Sequence, residues 1–91
     1  MKNDYCVPKS DVVARREGED AFLFDPDTGN LLCVNRIGYF IWDQLTKKNG
    51  RTTIVRMIVD EHEGVNRDRA GRDYEAFVGK LRDSGFLGTV R

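Results

Sequence analysis

The stretch from Leu31 to Lys47 changes its hydrophobic period at a single residue, Asn35. Before Asn35, residues 31–34 (Leu-Leu-Cys-Val) form a short apolar run that is typical of a strand. After it, apolar side chains recur at helical spacing, at Ile37, Phe40, Ile41 and Leu45. Asparagine is a preferred N-cap because its side-chain oxygen accepts a bond from a free amide of the first turn. The sequence therefore predicts a strand that turns directly into a helix at Asn35.

Two further strands are predicted upstream of this corner. Residues 11–16 and 21–24 are apolar or β-compatible and are separated by a turn that contains Gly18. Residues 25–30 (Asp-Pro-Asp-Thr-Gly-Asn) read as a hairpin loop, with proline presetting a type I turn and glycine or asparagine taking a left-handed position. Short connections between successive strands predict an antiparallel meander.

Three helices are predicted after the strands. The first helix is predicted to run from about Arg36 to Lys47, with Gly50 as its terminator. The second begins at a cap formed by Thr52 or Thr53 and ends at Gly64. The third begins at an Asn66 cap and reaches Ser84, and Gly85 closes its last turn. A run of strands followed by a run of helices predicts an α+β domain, with the helices on one face of the sheet. We expect residues 1–10 to be a loose arm, residues 11–88 to be one domain, and residues 89–91 to fray.

Composition excludes several classes of protein. Fifteen basic and fifteen acidic residues give a net charge of zero, which argues against a protein built mainly to bind nucleic acid. No apolar run approaches the roughly 20 residues that span a bilayer, and the N-terminus lacks a signal-peptide core, so the expected compartment is the cytoplasm. In that compartment Cys33 is expected to be a buried thiol, although a disulfide with Cys6 stays open.

The side chains needed for catalysis are not arranged in any recognisable pattern. The single histidine, His62, lies between two glutamates on what is expected to be a solvated helix face. Asp25 and Asp27 flank a proline, where aspartate commonly bonds to turn amides. There is no phosphate loop, no nucleophile with a base at suitable spacing and no metal-ligand spacing. We therefore predict a protein that is not an enzyme and that uses no cofactor or metal.

The sheet is predicted to have an apolar surface that the helices leave uncovered. Phe22 and Phe24 alternate with Ala21 and Leu23, and residues 31–34 are apolar throughout. Helices in so short a chain cover only one sheet face, and the outer strands also leave unpaired backbone groups that template an added strand. The alternatives are that the edge is covered by the N-terminal arm or by a second copy of the chain.

The ordered set of these segments resembles the PqqD-like family. The resemblance rests on the hairpin of residues 22–32, the corner of residues 34–42 (Val-Asn-Arg-Ile-Gly-Tyr-Phe-Ile-Trp), the helix start of residues 51–54 (Arg-Thr-Thr-Ile) and the closing residues 73–87. It implies a winged-helix-like domain of three strands and three helices. It also implies a cytoplasmic peptide chaperone that binds the leader of a ribosomally made precursor peptide and presents it to a modifying enzyme, often a radical SAM enzyme.

The resemblance places the leader as a strand beside the third strand and against the third helix. It makes the peptide-binding residues of the strand Leu31, Leu32, Cys33 and Val34. A helical wheel assigns the other wall to one flank of the third helix, namely Arg67, Gly71, Tyr74 and Val78. A proline at Leu32 or Val34 is expected to abolish binding without unfolding the domain. Glu61 departs from the family, which usually has leucine there.

Two rival functions stay open on the sequence alone. A winged helix-turn-helix DNA-binding regulator has the same elements, but the third helix mixes five basic with four acidic residues and so lacks a clean basic face. A homodimer with paired or swapped strands is the other rival, and it is compatible with leader binding. Membership of the family would not identify the precursor peptide that is bound. It would also not imply that this chain serves pyrroloquinoline quinone synthesis.

Overall fold

The computed structural model describes residues 7–18 and 20–88. Strands β1 (Val13–Glu17), β2 (Asp20–Phe24) and β3 (Leu31–Val34) come first, and helices α1 (Arg36–Thr46), α2 (Arg51–Glu61) and α3 (Arg67–Asp83) follow. The strands form one antiparallel sheet in the order β1-β2-β3. The predicted α+β architecture, with three antiparallel strands followed by three helices, is confirmed.

The β2–β3 hairpin is closed as the turn residues predict. Gly29 takes a left-handed φ of 80° and donates its amide to the Asp25 carbonyl at 2.7 Å. The Asp25 carboxylate accepts the amide of Asp27 at 2.9 Å, which is the side-chain-to-backbone bond expected of aspartate in a turn. The loop therefore fixes the register in which Leu23 lies opposite Leu32.

The strand-to-helix corner at Asn35 is confirmed. Its side-chain oxygen accepts the Gly38 amide at 2.8 Å, at the start of α1. The other end of α1 differs from the prediction, because Lys48, with a φ of 67°, takes the left-handed position expected of Gly50. Gly50 is extended and serves as the N-cap of α2, so the predicted cap at Thr52 or Thr53 is wrong. The chain reverses early because the amides of Lys48 and Asn49 already bond back to α1 carbonyls.

The end of α3 is a Schellman motif. Gly85 has a φ of 80°, its amide bonds to the Arg82 carbonyl, and the Phe86 amide bonds to the Leu81 carbonyl at 2.9 Å. This turn places Phe86 in the core with none of its surface exposed. The core lies between the inner face of β2, represented by Leu23, and the three helices.

Residues 7–9, which the sequence assigned to a loose arm, are held against the end of the chain. Pro8 forms a β-bridge with Leu87, and the Lys9 amide bonds to the Phe86 carbonyl at 2.9 Å. The Lys9 ammonium lies 2.8 Å from the buried Asp25 carboxylate. The remainder of the predicted arm, residues 1–6, and the fraying residues 89–91 lie outside the described residues.

The side chains of Cys33 and His62 have different environments from those that the sequence predicted. Cys33 is exposed rather than buried, because it points to the sheet face that carries no helix. His62 is the C-cap of α2, half-buried with its ring edge-on to Phe40, and not on a solvated helix face. Trp42, on the same helix as Phe40, is buried in the core. No helix in the described ranges is long and apolar enough to cross a membrane.

Candidate functional site

In the described part of the chain, the outer edge of β3 has backbone groups without a strand partner. β3 pairs with β2 on one side and, among residues 7–18 and 20–88, with no strand on the other. The bond from the Asp25 amide to the Asn30 carbonyl, at 2.9 Å, fixes which residues face β2. Because bonded and non-bonded pairs alternate in an antiparallel ladder, Leu32 and Val34 bond to β2, whereas the amides and carbonyls of Leu31 and Cys33 face the open edge.

A hollow of about 240 Å³ lies beside the end of this edge, and we call it the edge groove. It is bounded by the end of β3, the first turns of α1 and one face of α3. Its lining residues are Cys33, Val34, Asn35, Ile37, Gly38, Ile41, Arg69, Asp73, Ala76, Phe77 and Lys80. Asn35 follows β3 and is the N-cap of α1, so the chain passes directly from the open edge of β3 into the α1 wall of the groove. A strand added to β3 would therefore have its inward side chains next to the groove.

The α3 wall of the edge groove combines apolar and charged side chains. Arg69, Asp73, Ala76 and Lys80 share a helix face because they are separated by three or four residues. The Arg69 Nε atom lies 3.9 Å from the Asp73 Oδ2 atom, on the surface of that wall. With Ile41 and Phe77 in the same lining, the groove can bury an apolar side chain and offer charged partners at its rim.

The floor of the edge groove depends on close packing between α1 and α3. Gly38 is buried, and a Cβ atom at this position would lie 3.0 Å from the Phe77 Cε1 atom and 3.3 Å from the Asn35 Oδ1 atom. A side chain at this position would require the Phe77 ring to move by a few tenths of an ångström. The position of Phe77 is therefore set by the absence of a side chain on α1.

The predicted α3 residues lie elsewhere than on this wall. Tyr74 and Val78 are buried in the core, with 2% and 3% of their surfaces exposed. Arg67 and Gly71 line a separate, wider groove between α2 and α3, which also includes Arg51, Thr52 and Glu75. The helical wheel identified the buried stripe correctly, but the flank that faces β3 is the opposite one from Arg67 and Gly71.

Gly71 accommodates a neighbouring side chain. A Cβ atom at Gly71 would lie 3.2 Å from the Arg51 Nη2 atom. Arg51 also bonds to Glu75 at 2.6 Å and has its guanidinium 5.8 Å from the Tyr74 ring centroid. The space beside Gly71, a predicted peptide-binding residue, is therefore occupied in this structure by the Arg51 side chain.

The predicted strand residues do lie at the open edge. Cys33 and Val34 border the edge groove, and Leu32 is half-buried against the core. Leu31 is 61% exposed on the outer sheet face, to which the Cys33 side chain also points. The sequence reasoning missed Ile37 and Gly38 as groove residues. The signal for them was available, because an N-cap that ends a strand places the first helical turn beside that strand's end.

The described residues hold no cluster of metal ligands and one buried charged side chain, that of Asp25. No group of three or more His, Cys, Asp or Glu side chains in the described ranges could hold a metal ion. The buried carboxylate of Asp25 accepts bonds from the Lys9 ammonium and from the Asp27 amide. The bond and the charge of Lys9 hold the pKa of the Asp25 carboxyl below its usual value, against the opposing effect of burial.

A family model described as coenzyme PQQ synthesis protein D matches residues 20–87, about three quarters of the chain. The chain belongs to the PqqD family. The match begins at β2 and ends just after α3, so it includes both walls of the edge groove. No curated protein sequence matches the chain.

Two solved structures share the fold of this PqqD-family protein. TbiB1 in complex with the TbiA(beta) leader peptide has a TM-score of 0.80 and 24% sequence identity, over 93% of this chain and 98% of that one. Lasso peptide synthetase B1 complexed with the leader peptide has a TM-score of 0.79 and 20% identity, over 93% of this chain and 99% of that one. At these identities the likeness shows a common fold across nearly the whole length of each protein.

Proposed function

We propose that this protein is a non-catalytic adaptor that binds the leader segment of a ribosomally synthesised precursor peptide and presents it to a modifying enzyme. The observation that carries the proposal is the open β3 edge, whose unpaired groups at Leu31 and Cys33 lead into the edge groove. Membership of the PqqD family supports it, as do two neighbours of the same fold that were each solved with a leader peptide.

The mechanism follows from strand addition. An extended leader bonds to the amides and carbonyls of Leu31 and Cys33 whatever its side chains are, which holds it in place. Every second side chain then points toward the edge groove, where Ile37 and Phe77 favour an apolar group. Because a disordered leader loses conformational entropy on binding, we expect a micromolar rather than a picomolar dissociation constant.

The proposal extends to the partner enzyme and the compartment. A modifying enzyme of the radical SAM class is the expected partner, acting in pyrroloquinoline quinone-type or other peptide natural-product biosynthesis in the cytoplasm. The proposed site consists of the backbone edge of β3 and the edge groove, which are features that bind a peptide and require no catalytic group. The rival DNA-binding function has no support from the family or from the neighbouring structures.

An amide NMR titration tests the proposal. The ligands are synthetic leader peptides from short open reading frames encoded beside the gene. We expect the largest shifts at the edge-facing amides of Leu31 and Cys33 and at the first turn of α1. No shift with any of these peptides, together with salt-dependent retardation of duplex DNA, would replace the adaptor function with a regulatory one.

A matched pair of variants separates the two grooves. Ile37→Asp and Thr52→Asp each place a carboxylate at the second residue of a helix, where it interacts favourably with the helix dipole. Ile37 lines the edge groove and Thr52 lines the α2/α3 groove. We expect Ile37→Asp to weaken leader binding about tenfold or more and Thr52→Asp to leave it unchanged. The reverse result would place the leader beside Arg67 and Gly71, as the sequence predicted.

A further inference from the structure

The sheet face away from the helices carries an exposed apolar row that crosses all three strands. Val13, Phe24 and Leu31 lie directly opposite one another in the β1–β2 and β2–β3 registers. They are 50%, 40% and 61% exposed, and they are the large hydrophobic residues that stand out as exposed in the described part of the chain. We call these three residues the outer row. With Phe22 and Arg15 they line an open hollow of about 380 Å³.

The outer row is too small to hold a second copy of the chain by itself. Three strands spaced about 4.8 Å apart give a face less than 20 Å across. A stable interface between proteins buries about 800 Å² on each partner, which such a face does not supply. A narrower occupant therefore fits the row better than a folded protein.

The outer row ends at the same open edge at which the leader is proposed to add. Leu31 is its last residue, and the backbone groups of Leu31 face that edge. A strand added there places one of its side chains on the outer face, with its Cβ atom about 5 Å from that of Leu31. That side chain would continue the row by one position.

We propose that the β3 end of the outer row, at Leu31 and Phe24 but not at Val13, is a second subsite for the leader, which takes a large aliphatic or aromatic side chain of the added strand. The inference rests on the proposed function and narrows its substrate class. The leader residues on either side of this one point to the inner face of the sheet, the face on which Leu32 packs against the core and on which the edge groove begins at Val34. The recognised segment is therefore apolar at consecutive positions, and not only at every second position as in a strand with one buried face.

A graded series of threonine variants tests the subsite with the synthetic leader that binds the wild-type protein most tightly. Threonine keeps a high strand propensity, and all three positions are exposed, so the variants should fold. Leu31→Thr should weaken binding about threefold to fivefold and Phe24→Thr less. Val13→Thr should have no effect, because β1 lies about 14 Å from an added strand.

A second series changes the leader and leaves the protein intact. Aspartate is introduced at each position of the bound segment in turn. Losses at consecutive positions support the second subsite, and the loss at the outward position should disappear in Leu31→Thr. If the unsubstituted leader binds but aspartate lowers the affinity only at alternate positions, the subsite would be overturned and the proposed function would stand.

Two other outcomes assign the row differently. If the mass of the wild-type protein rises with concentration, and Val13→Thr and Leu31→Thr lower this self-association equally, the outer row would be an interface with a second copy of the chain. Failure of every leader peptide to bind the wild-type protein would overturn the proposed function and the subsite together.

Discussion

The Gly38 Cα carries no side chain at the point where the Phe77 ring approaches it, and a Cβ atom there would lie 3.0 Å from the Phe77 Cε1 atom. This contact sets how closely α1 and α3 pack and where the edge groove has its floor. It links one residue on the first turn of α1 to the wall that α3 presents to β3.

Gly38→Ala is expected to destabilise the protein and to reshape the edge groove. The added methyl group must displace Phe77, at a cost of about 1–2 kcal/mol that exceeds the helix-propensity gain. Gly79→Ala is the matched control, because it also lies inside a helix and has nothing within 4 Å of an added Cβ. We expect Gly79→Ala to raise the free energy of unfolding by about 0.5–1 kcal/mol. Urea unfolding and leader titration of both variants measure the difference, and equal behaviour would contradict the role of Gly38.

Cys33→Pro is expected to abolish leader binding in a folded protein. The substitution removes an amide that faces the open edge and leaves the bonds from Leu32 and Val34 to β2 intact. Cys33→Val keeps the amide and serves as the control. The proline test at Leu32 or Val34, which the sequence favoured, instead breaks the bonds to β2 and should unfold the sheet. Isothermal titration with circular dichroism distinguishes these cases, and unchanged affinity of a folded Cys33→Pro variant would contradict strand addition.

Asn35→Ala should affect both stability and binding. Loss of the bond to the Gly38 amide is expected to cost about 1 kcal/mol and to loosen the corner between β3 and the groove. Asn66→Ala removes the equivalent cap of α3, a bond of the same 2.8 Å length to the Arg69 amide, and Asn66 itself does not line the edge groove, whereas Asn35 does. The two variants should lose similar amounts of unfolding free energy in chemical denaturation. Only Asn35→Ala should lower the affinity for the leader by more than the smaller fraction of folded protein explains.

Lys9→Met should lower the thermal unfolding temperature by several degrees near neutral pH. The substitution leaves Asp25, whose side chain is 1% exposed, without its cation. The pKa of Asp25 is lowered below 3.8 in the folded protein, chiefly by its bond to Lys9, so this stabilisation exists above that pH and is lost as the pH falls. The pKa of Lys9 is raised above 10.5, chiefly by the same bond, so the stabilisation is also lost at high alkaline pH.

The pH dependence supplies the control for this ion pair. The difference in unfolding temperature between the wild type and Lys9→Met should be largest between pH 3.8 and 10.5 and should shrink on the acidic side. Lys47→Met removes an exposed pair with Asp43 and should change little at any pH. A difference that stays constant down to acidic pH would show that Lys9 stabilises the protein through packing instead of charge.

The sequence by itself determined the order and kind of the elements, because those depend on local patterns. The change of period at Asn35, the role of Asn35 as N-cap and the closure of α3 at Gly85 are local features, and all three were correctly predicted. In the hairpin loop the sequence left Gly29 and Asn30 as alternatives for the left-handed position, which Gly29 takes. The cap of α2 was not, because the turn before it is set by bonds back to α1 and not by the local preference of Thr52 or Thr53.

Only the tertiary structure decided which residues meet at the candidate site. Both flanks of the α3 stripe are compatible with the same wheel, and the packing of α3 against α1 and α2 turned Arg69, Asp73 and Lys80 toward β3 and Arg67 and Gly71 toward α2. The burial of Asp25 and the exposure of Cys33 likewise depend on contacts between distant segments, at Lys9 and at the uncovered sheet face. Short-range periodicity fixes a helix and its buried stripe, but the rotation of that helix in the fold is set by long-range packing.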